Sequence, residues 1–218
     1  MENRPVTEPL IVAIVGGSGS GKTWLAKKLK RNLGPCAGVL SMDDFYRDLS
    51  SLPVSWRKKV NFDHPSAVDW TLLSKCLKQI RSSERALLPR YDFASHTRGA
   101  ELRVWRRRSV VLIDGLWLLR RSELRRNYSF SVFVDCPDKV RLERRIARDV
   151  RERGRAEASV RRQFQECVEP MHSRFVQPQR ARAECVVASP LNKAMFEDLL
   201  RVLRDALNKS NSTDPLKL

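Results

Sequence analysis

LIVAIVGGSGSGKT, residues 10–23, is an apolar run that breaks into glycines and ends on lysine and threonine. The run LIVAIV is rich in β-branched residues and reads as a buried parallel strand. The segment that follows, TWLAKKLKRNL, sets Leu25, Leu29 and Leu33 at helical spacing with lysines opposite, and stops at Gly34-Pro35. Strand, glycine loop and helix are the setting in which G-x-x-x-x-G-K-[ST] binds phosphate, and Gly16, Gly21, Lys22 and Thr23 satisfy that pattern. Across Gly16, Gly17, Ser18, Gly19, Ser20 and Gly21 the backbone can curl so that its N–H groups point inward on phosphate oxygens. The helix start adds favourable partial charge. Lys22 is placed for the β- and γ-phosphates and the Thr23 hydroxyl for Mg²⁺. A bare glycine-rich turn would need neither the strand before it nor the helix after it. The loop names the donor, a nucleoside triphosphate, and not the reaction.

Working outward, GVLSMD (38–43), SVVLIDG (109–115), SFSVFVD (129–135) and ECVVAS (184–189) read as four more short strands. Between them lie SAVDWTLLSKCLKQI after Pro65, a strongly charged helix after Pro137, and the closing amphipathic helix KAMFEDLLRVLRDAL. Strands alternating with helices predict an α/β fold of the P-loop NTPase type, a five-stranded parallel sheet between helices. With 218 residues, no internal repeat and no long linker, one domain over 1–218 is expected. Residues 84–107 depart from the alternation and read as a small antiparallel ribbon, LLPRYDF against ELRVW. Residues 150–160 read as a mobile loop between two helices, and the tail from 209 to 218 as loose.

Charged residues make up 31% and hydrophobic ones 42%, which excludes a disordered chain. The apolar runs are far too short to span a bilayer, and the acid- and proline-bearing start is unlike a signal peptide. Five scattered cysteines without a CxxC pair are expected as free thiols in a cytoplasmic protein. The net charge of +17 invites a nucleic-acid reading. No recognition motif accompanies it, so phosphate-bearing small molecules are the expected partners, with neither nucleic acid nor membrane.

In open α/β sheets ligands bind beyond the C-terminal ends of the strands. Asp43 and Asp114 fall there. Asp114 suits the metal shell, directly or through water, and Asp43 suits orienting or deprotonating an acceptor hydroxyl. Asp44 competes with Asp43; on an extended segment the two point opposite ways. NFDHPSAVDW (61–70) has a structural reading as a helix start, with Pro65 in the first turn and Ser66-x-x-Asp69 as a capping box. YDFASHTR (91–98) reads likewise as a strand running into a turn, with Asp92 and Ser95 as turn formers and Arg98 structural.

Together, GGSGSGKT, SMDDFYR, NFDHPSAVD, YDFASHTR, LIDG, RRIARD and ERGR resemble, in order and over residues 10–190, the uridine–cytidine kinases of the phosphoribulokinase/uridine kinase group. The resemblance implies ATP-dependent, or GTP-dependent, phosphorylation of a pyrimidine ribonucleoside at its 5′-hydroxyl, with Mg²⁺, in a homotetramer. It implies Asp43 as the group activating the hydroxyl, with Lys22 and Arg148 in the catalytic set. It implies Asp63 and Gln163 on the ribose, and Tyr91 and His96 on the base. Arg145 and Arg155 would contact nucleoside or phosphates, Arg148 and Arg153 would gather around ATP, and 145–160 would form a lid. The group usually carries Glu where this chain has Asp114, one methylene longer, which leaves a direct and a water-mediated metal contact as alternatives here.

Overall fold

A computed structural model describes residues 8–57 and 59–212. Five parallel strands form the sheet: β1 (Leu10–Gly16), β2 (Ala37–Ser41), β7 (Val110–Gly115), β8 (Phe130–Asp135) and β9 (Cys185–Ala188), in the order β2-β7-β1-β8-β9. β1 is central, with Leu10 beside Val110 and Val12 beside Phe130. Its alternate residues serve two cores, which is why its sequence is apolar without interruption. Ile11, Ala13 and Val15 pack with Leu40, Ile113, Phe133 and with Leu73 and Leu77 of helix α3 (Trp70–Ser82). Val12 and Ile14 face Leu25 and Leu29 of α1 (Lys22–Leu33) and Leu199 and Leu203 of α8 (Lys193–Ser212). The five-stranded α/β expectation therefore holds. No helix among the described residues is long and apolar enough to cross a membrane, and the five cysteines are unpaired.

Several local expectations shift. The second strand ends at Ser41, and Met42–Phe45 forms a 3₁₀ turn started by Ser41, whose Oγ accepts from Asp43 N at 3.3 Å. Asp43 and Asp44 are thus separated by a turn rather than by strand alternation. Pro65 starts only a 3₁₀ turn, Pro65–Ala67, not the long helix. That helix starts at Trp70, with Asp69 itself as N-cap, accepting from Leu72 N at 3.0 Å. The capping box is therefore not formed: the hydrogen bond uses Asp69 as the cap and not as its third helical residue.

The expected ribbon forms, with a short hairpin nested inside it. β3 (Arg85–Leu88) pairs with β6 (Arg103–Arg106), and β4 (Tyr91–Asp92) pairs with β5 (Thr97–Arg98). Its Trp105 lies against Gly38 of β2, where a Cβ would stand 2.8 Å from indole Cζ2. Asp92 accepts from Ala94 N and Ser95 Oγ, and Arg98 pairs with Asp69 at 3.2 Å, so both have structural partners. A four-residue helix, α2 (Val54–Arg57), and another, α4 (Ser122–Arg125), lie in connections.

The expected 150–160 loop is mostly helix. α5 (Asp138–Arg153) turns at Gly154, φ 60°, and α6 (Glu157–Gln163) follows, leaving only 154–156 between them. The charged face of α5 carries it on because acids and bases alternate one turn apart. Past α6 the helical path continues through π turns at Phe164–Val168 and His172–Val176 around α7 (Glu169–Met171), then a 3₁₀ segment Gln177–Arg182. The closing helix runs to Ser212, so the expected tail is helical over 209–212. Its remainder, 213–218, lies outside the described residues.

Candidate active site

The glycine loop is held from below by the rest of the molecule. Gly21 (φ 96°) caps α1 and Gly19 (φ 80°) takes the same left-handed region. A Cβ on Gly19 would overlap the carbonyl oxygen of Arg141, so the loop lies tight on α5. Lys22 Nζ donates to Gly17 O at 3.2 Å. Burial pulls the Lys22 ammonium below the ordinary lysine range, against the attraction of Asp43 and Asp114. The Thr23 hydroxyl donates to Asp114 Oδ2. Asp114 is buried at the end of β7, and its Oδ1 has no protein partner. An orphaned carboxylate oxygen beside a hydroxyl is a donor set that fits Mg²⁺, whose other ligands would be phosphate and water. The pair sits where strand ends and loop were expected to bring it.

Beside the loop opens a cavity of about 430 Å³, lined by Ser20, Trp24, Arg144, Ser189, Pro190 and Leu191. Arg144 closes its floor, donating to Ser189 Oγ at 2.8 Å and to Ser20 O at 3.3 Å. The motif reading named Ser20 and missed the rest. Trp24 and Arg144 are adjacent in sequence to assigned residues, but nothing in the spacing says that the turn after β9 meets them.

Across the strand ends lie the residues expected at the acceptor. Burial raises both Asp43 and Asp63 above the ordinary carboxylate range, with Lys22 opposing the shift at Asp43 and Arg145 at Asp63. Asp114 and Arg148 both lie close enough for their charges to act on Lys22 and Asp43. Tyr46, which carried no assignment, donates its hydroxyl to Phe62 O at 3.2 Å and stands beside the Asp43 carboxylate. Burial drives its hydroxyl well above the ordinary tyrosine range.

Tyr91 packs edge-on against Tyr46, centroids 5.5 Å apart, and against Phe93 at 5.3 Å. Its hydroxyl is buried without a partner, and burial pushes it up to about 12. His96 occupies the left-handed region, φ 57°, in the β4–β5 turn. That conformation lays its ring on Phe62, centroids 4.8 Å apart and 21° from parallel. Phe62 was legible only as a neighbour of Asp63. Together Tyr46, Phe62, Tyr91, Phe93 and His96 form one group of packed rings, next in sequence to Asp63 through Phe62.

The residues expected in the lid converge as a group. Buried Arg145 donates to Ser18 Oγ at 2.9 Å and Gln163 Oε1 at 3.0 Å, and lies 3.6 Å from Asp63 Oδ1. Arg155 reaches the same Gln163 oxygen at 2.6 Å. Arg148 and Arg153 both turn to Asp149 Oδ1, at 2.8 and 3.2 Å. Asp149 had no role in the sequence reading, although it stands in RRIARD. The structure therefore joins Ser18 of the glycine loop, Asp63 and Gln163 through Arg145, sets Asp43, Asp114 and Arg148 near Lys22, and places Tyr91 and His96 on the ribbon against Tyr46 and Phe62.

A model of the phosphoribulokinase/uridine kinase family matches residues 11–194. A uridine kinase of Deinococcus deserti is 39% identical over 180 residues, covering 82% of this chain and 87% of its own. One of Proteus mirabilis is 38% identical over 196 residues, covering 88% and 92%. The phosphoribulokinase structure of Rhodobacter spheroides superposes with a TM-score of 0.60 at 15% identity, over 84% of this chain and 71% of that one. At that identity it speaks for the fold alone. The family match spans the glycine loop, Asp43, Asp63, the ribbon and the corner at Gly154. The chain belongs to the phosphoribulokinase/uridine kinase family.

Proposed function

We propose that this protein transfers the γ-phosphoryl group of ATP, or of GTP, to the 5′-hydroxyl of uridine or cytidine. The observation that carries the reading is the pairing of two half-buried carboxylates, Asp43 and Asp63, with the rings of Tyr91, Phe62 and His96 and with Lys22. A carboxylate accepts two O–H bonds from a ribose diol, the role of Asp63, with Gln163 beside it. A flat ring between aromatic edges and a histidine suits a pyrimidine. The names of the curated relatives point to the same acceptor.

Asp43 takes the proton as the 5′-oxygen attacks the γ-phosphorus, and the bond to the β–γ bridging oxygen breaks to release the nucleoside diphosphate. Its raised pKa makes it a stronger base than an ordinary carboxylate. Lys22 and the loop amides hold the β- and γ-phosphates, and Arg148 with the other lid guanidinium groups meets the charge spreading over the transferred group. Thr23 and Asp114 would hold Mg²⁺, which supplies charge neutralisation on the phosphates when bound. The cavity at Trp24 takes the donor base. The segment 145–160 acts as the lid, closing out water. A homotetramer in the cytoplasm completes this proposal.

A coupled assay with Mg²⁺-ATP and a panel of nucleosides, ribulose 5-phosphate and pantothenate tests it. Turnover with uridine or cytidine well above the others is expected. Preference for a non-nucleoside acceptor would establish another kinase of the same fold. ATP turnover stimulated by RNA or DNA and steeply salt-dependent would establish a nucleic-acid-binding ATPase instead.

A further inference from the structure

Asp149 is fully buried on α5, and four guanidinium groups close on its two oxygens. Arg148 and Arg153 lie 2.8 and 3.2 Å from Oδ1, and Arg155 and Arg145 lie 3.4 and 3.6 Å from Oδ2. A carboxylate that merely completed a helical ion pair would face one partner at the surface. This one is stripped of water and shared among four cations, an arrangement whose desolvation is offset only by several partners at once.

The four arginines come from both arms of the corner at Gly154. Arg155 N also donates to Asp149 O at 3.2 Å, so this one residue closes the turn with its backbone and gathers the cations with its side chain. Arg145 carries the connection onward to Ser18 of the phosphate loop and to Asp63. Four long side chains of like charge confined to one cleft would otherwise repel one another and spread into water.

We propose that Asp149, which touches no substrate, is a positioning residue for phosphoryl transfer: it holds the lid guanidinium groups where they favour the nucleoside over water as acceptor. This rests on the kinase reading above. The physical basis is preorganisation, since charges fixed before the reaction need not be reoriented during it. The same fixed cluster keeps the cleft closed to water.

The test is Asp149→Asn, which keeps the shape and removes the charge. Three quantities are read: Kd for MgADP, kcat for nucleoside phosphorylation, and the ratio of ATP hydrolysed to nucleoside monophosphate formed. MgADP, held chiefly by the loop, should bind within about threefold of wild type, while kcat falls on the order of 100-fold and the hydrolysis ratio rises. A folded variant with unchanged kcat and ratio overturns the proposal, as does a drop in melting temperature with full activity per folded molecule. If Asp149→Asn does not fold, Asp149→Glu carries the test. Displacing the charge by one methylene should lower kcat at least about tenfold with MgADP binding kept, and unchanged kcat overturns the proposal. Failure of the kinase reading is distinguishable, because it would appear in the wild type as no phosphorylation of any nucleoside.

Discussion

Gly38→Ala should damage the acceptor side and spare the donor side, although Gly38 touches no candidate substrate-binding residue. Gly38 lies on the edge strand β2, where its missing side chain admits the Trp105 indole of the ribbon. An added Cβ would stand 2.8 Å from Cζ2, closer still to Cη2, and 3.2 Å from Arg108 Cγ. Carbon atoms pack comfortably at about 3.5–4.0 Å, so the indole must withdraw by roughly 1 Å. Overpacking of this kind costs about 1–3 kcal/mol. Trp105 is paired with Ala86, and the same ribbon carries Tyr91 and His96 against Tyr46 and Phe62. If the displacement is expressed at those rings, the KM for nucleoside rises about 5- to 150-fold. The phosphate loop stands at the end of the central strand β1, so Kd for an ATP analogue should hold within about twofold. Steady-state kinetics, analogue titration and thermal melting read the three quantities, with a Tm loss of about 2–4 °C per kcal/mol at this chain length. A lowered Tm with an unchanged nucleoside KM would refute the reasoning, because the ribbon's docking would then not set the site. Equal losses on both substrates would refute it too.

Asp43→Asn should lower kcat by roughly 10²–10⁴-fold while ATP still binds, measured by single-turnover kinetics and titration; a near-wild-type rate removes Asp43 from its role. Because burial raises the pKa of Asp43 and its ionised form is the base, kcat/KM in the wild type should fall as pH drops, with a midpoint above the ordinary carboxylate value of about 4. A pH–rate profile that stays flat to pH 4 contradicts this. His96→Ala should raise the KM for nucleoside about tenfold and leave that for ATP unchanged; parallel rises mean that the ring does not read the acceptor. Trp24→Ala should raise the KM for the donor about tenfold, since stacking on an aromatic face contributes roughly 1–3 kcal/mol per base and this indole is half exposed. An unchanged donor KM would empty the Trp24 cavity of its assigned role.

The donor half of the site was legible because its chemistry is local. A strand, six loop residues and a helix start are contiguous, and phosphate needs backbone N–H groups and one lysine that a short motif can specify. Asp114 was legible through a general property of open sheets, that strand ends carry ligands. The turn at Asp43 and the late start of α3 were not. Both depend on which of several competent caps wins, and Asp69 and Ser41 won through hydrogen bonds that only the folded path offers. Gly154 gave a correct place for a corner, but the interleaved charges around it supported helix on both sides where a loop was expected.

What the sequence by itself determined is the α/β sheet and the phosphate loop, since each follows from periodicity or from a motif whose members are close in the chain, while the residues proposed for the acceptor were named through the resemblance to the family. What only the tertiary structure decided is the partnership of distant groups. Tyr46 beside Asp43, Phe62 beneath His96, Trp24 and Pro190 lining one cavity, and four arginines sharing Asp149 are all matters of which side chains the fold brings together. Composition and spacing state that the charges exist. Burial decides which of them must be neighbours, because a charge taken out of water needs a partner, and the fold determines where that partner stands.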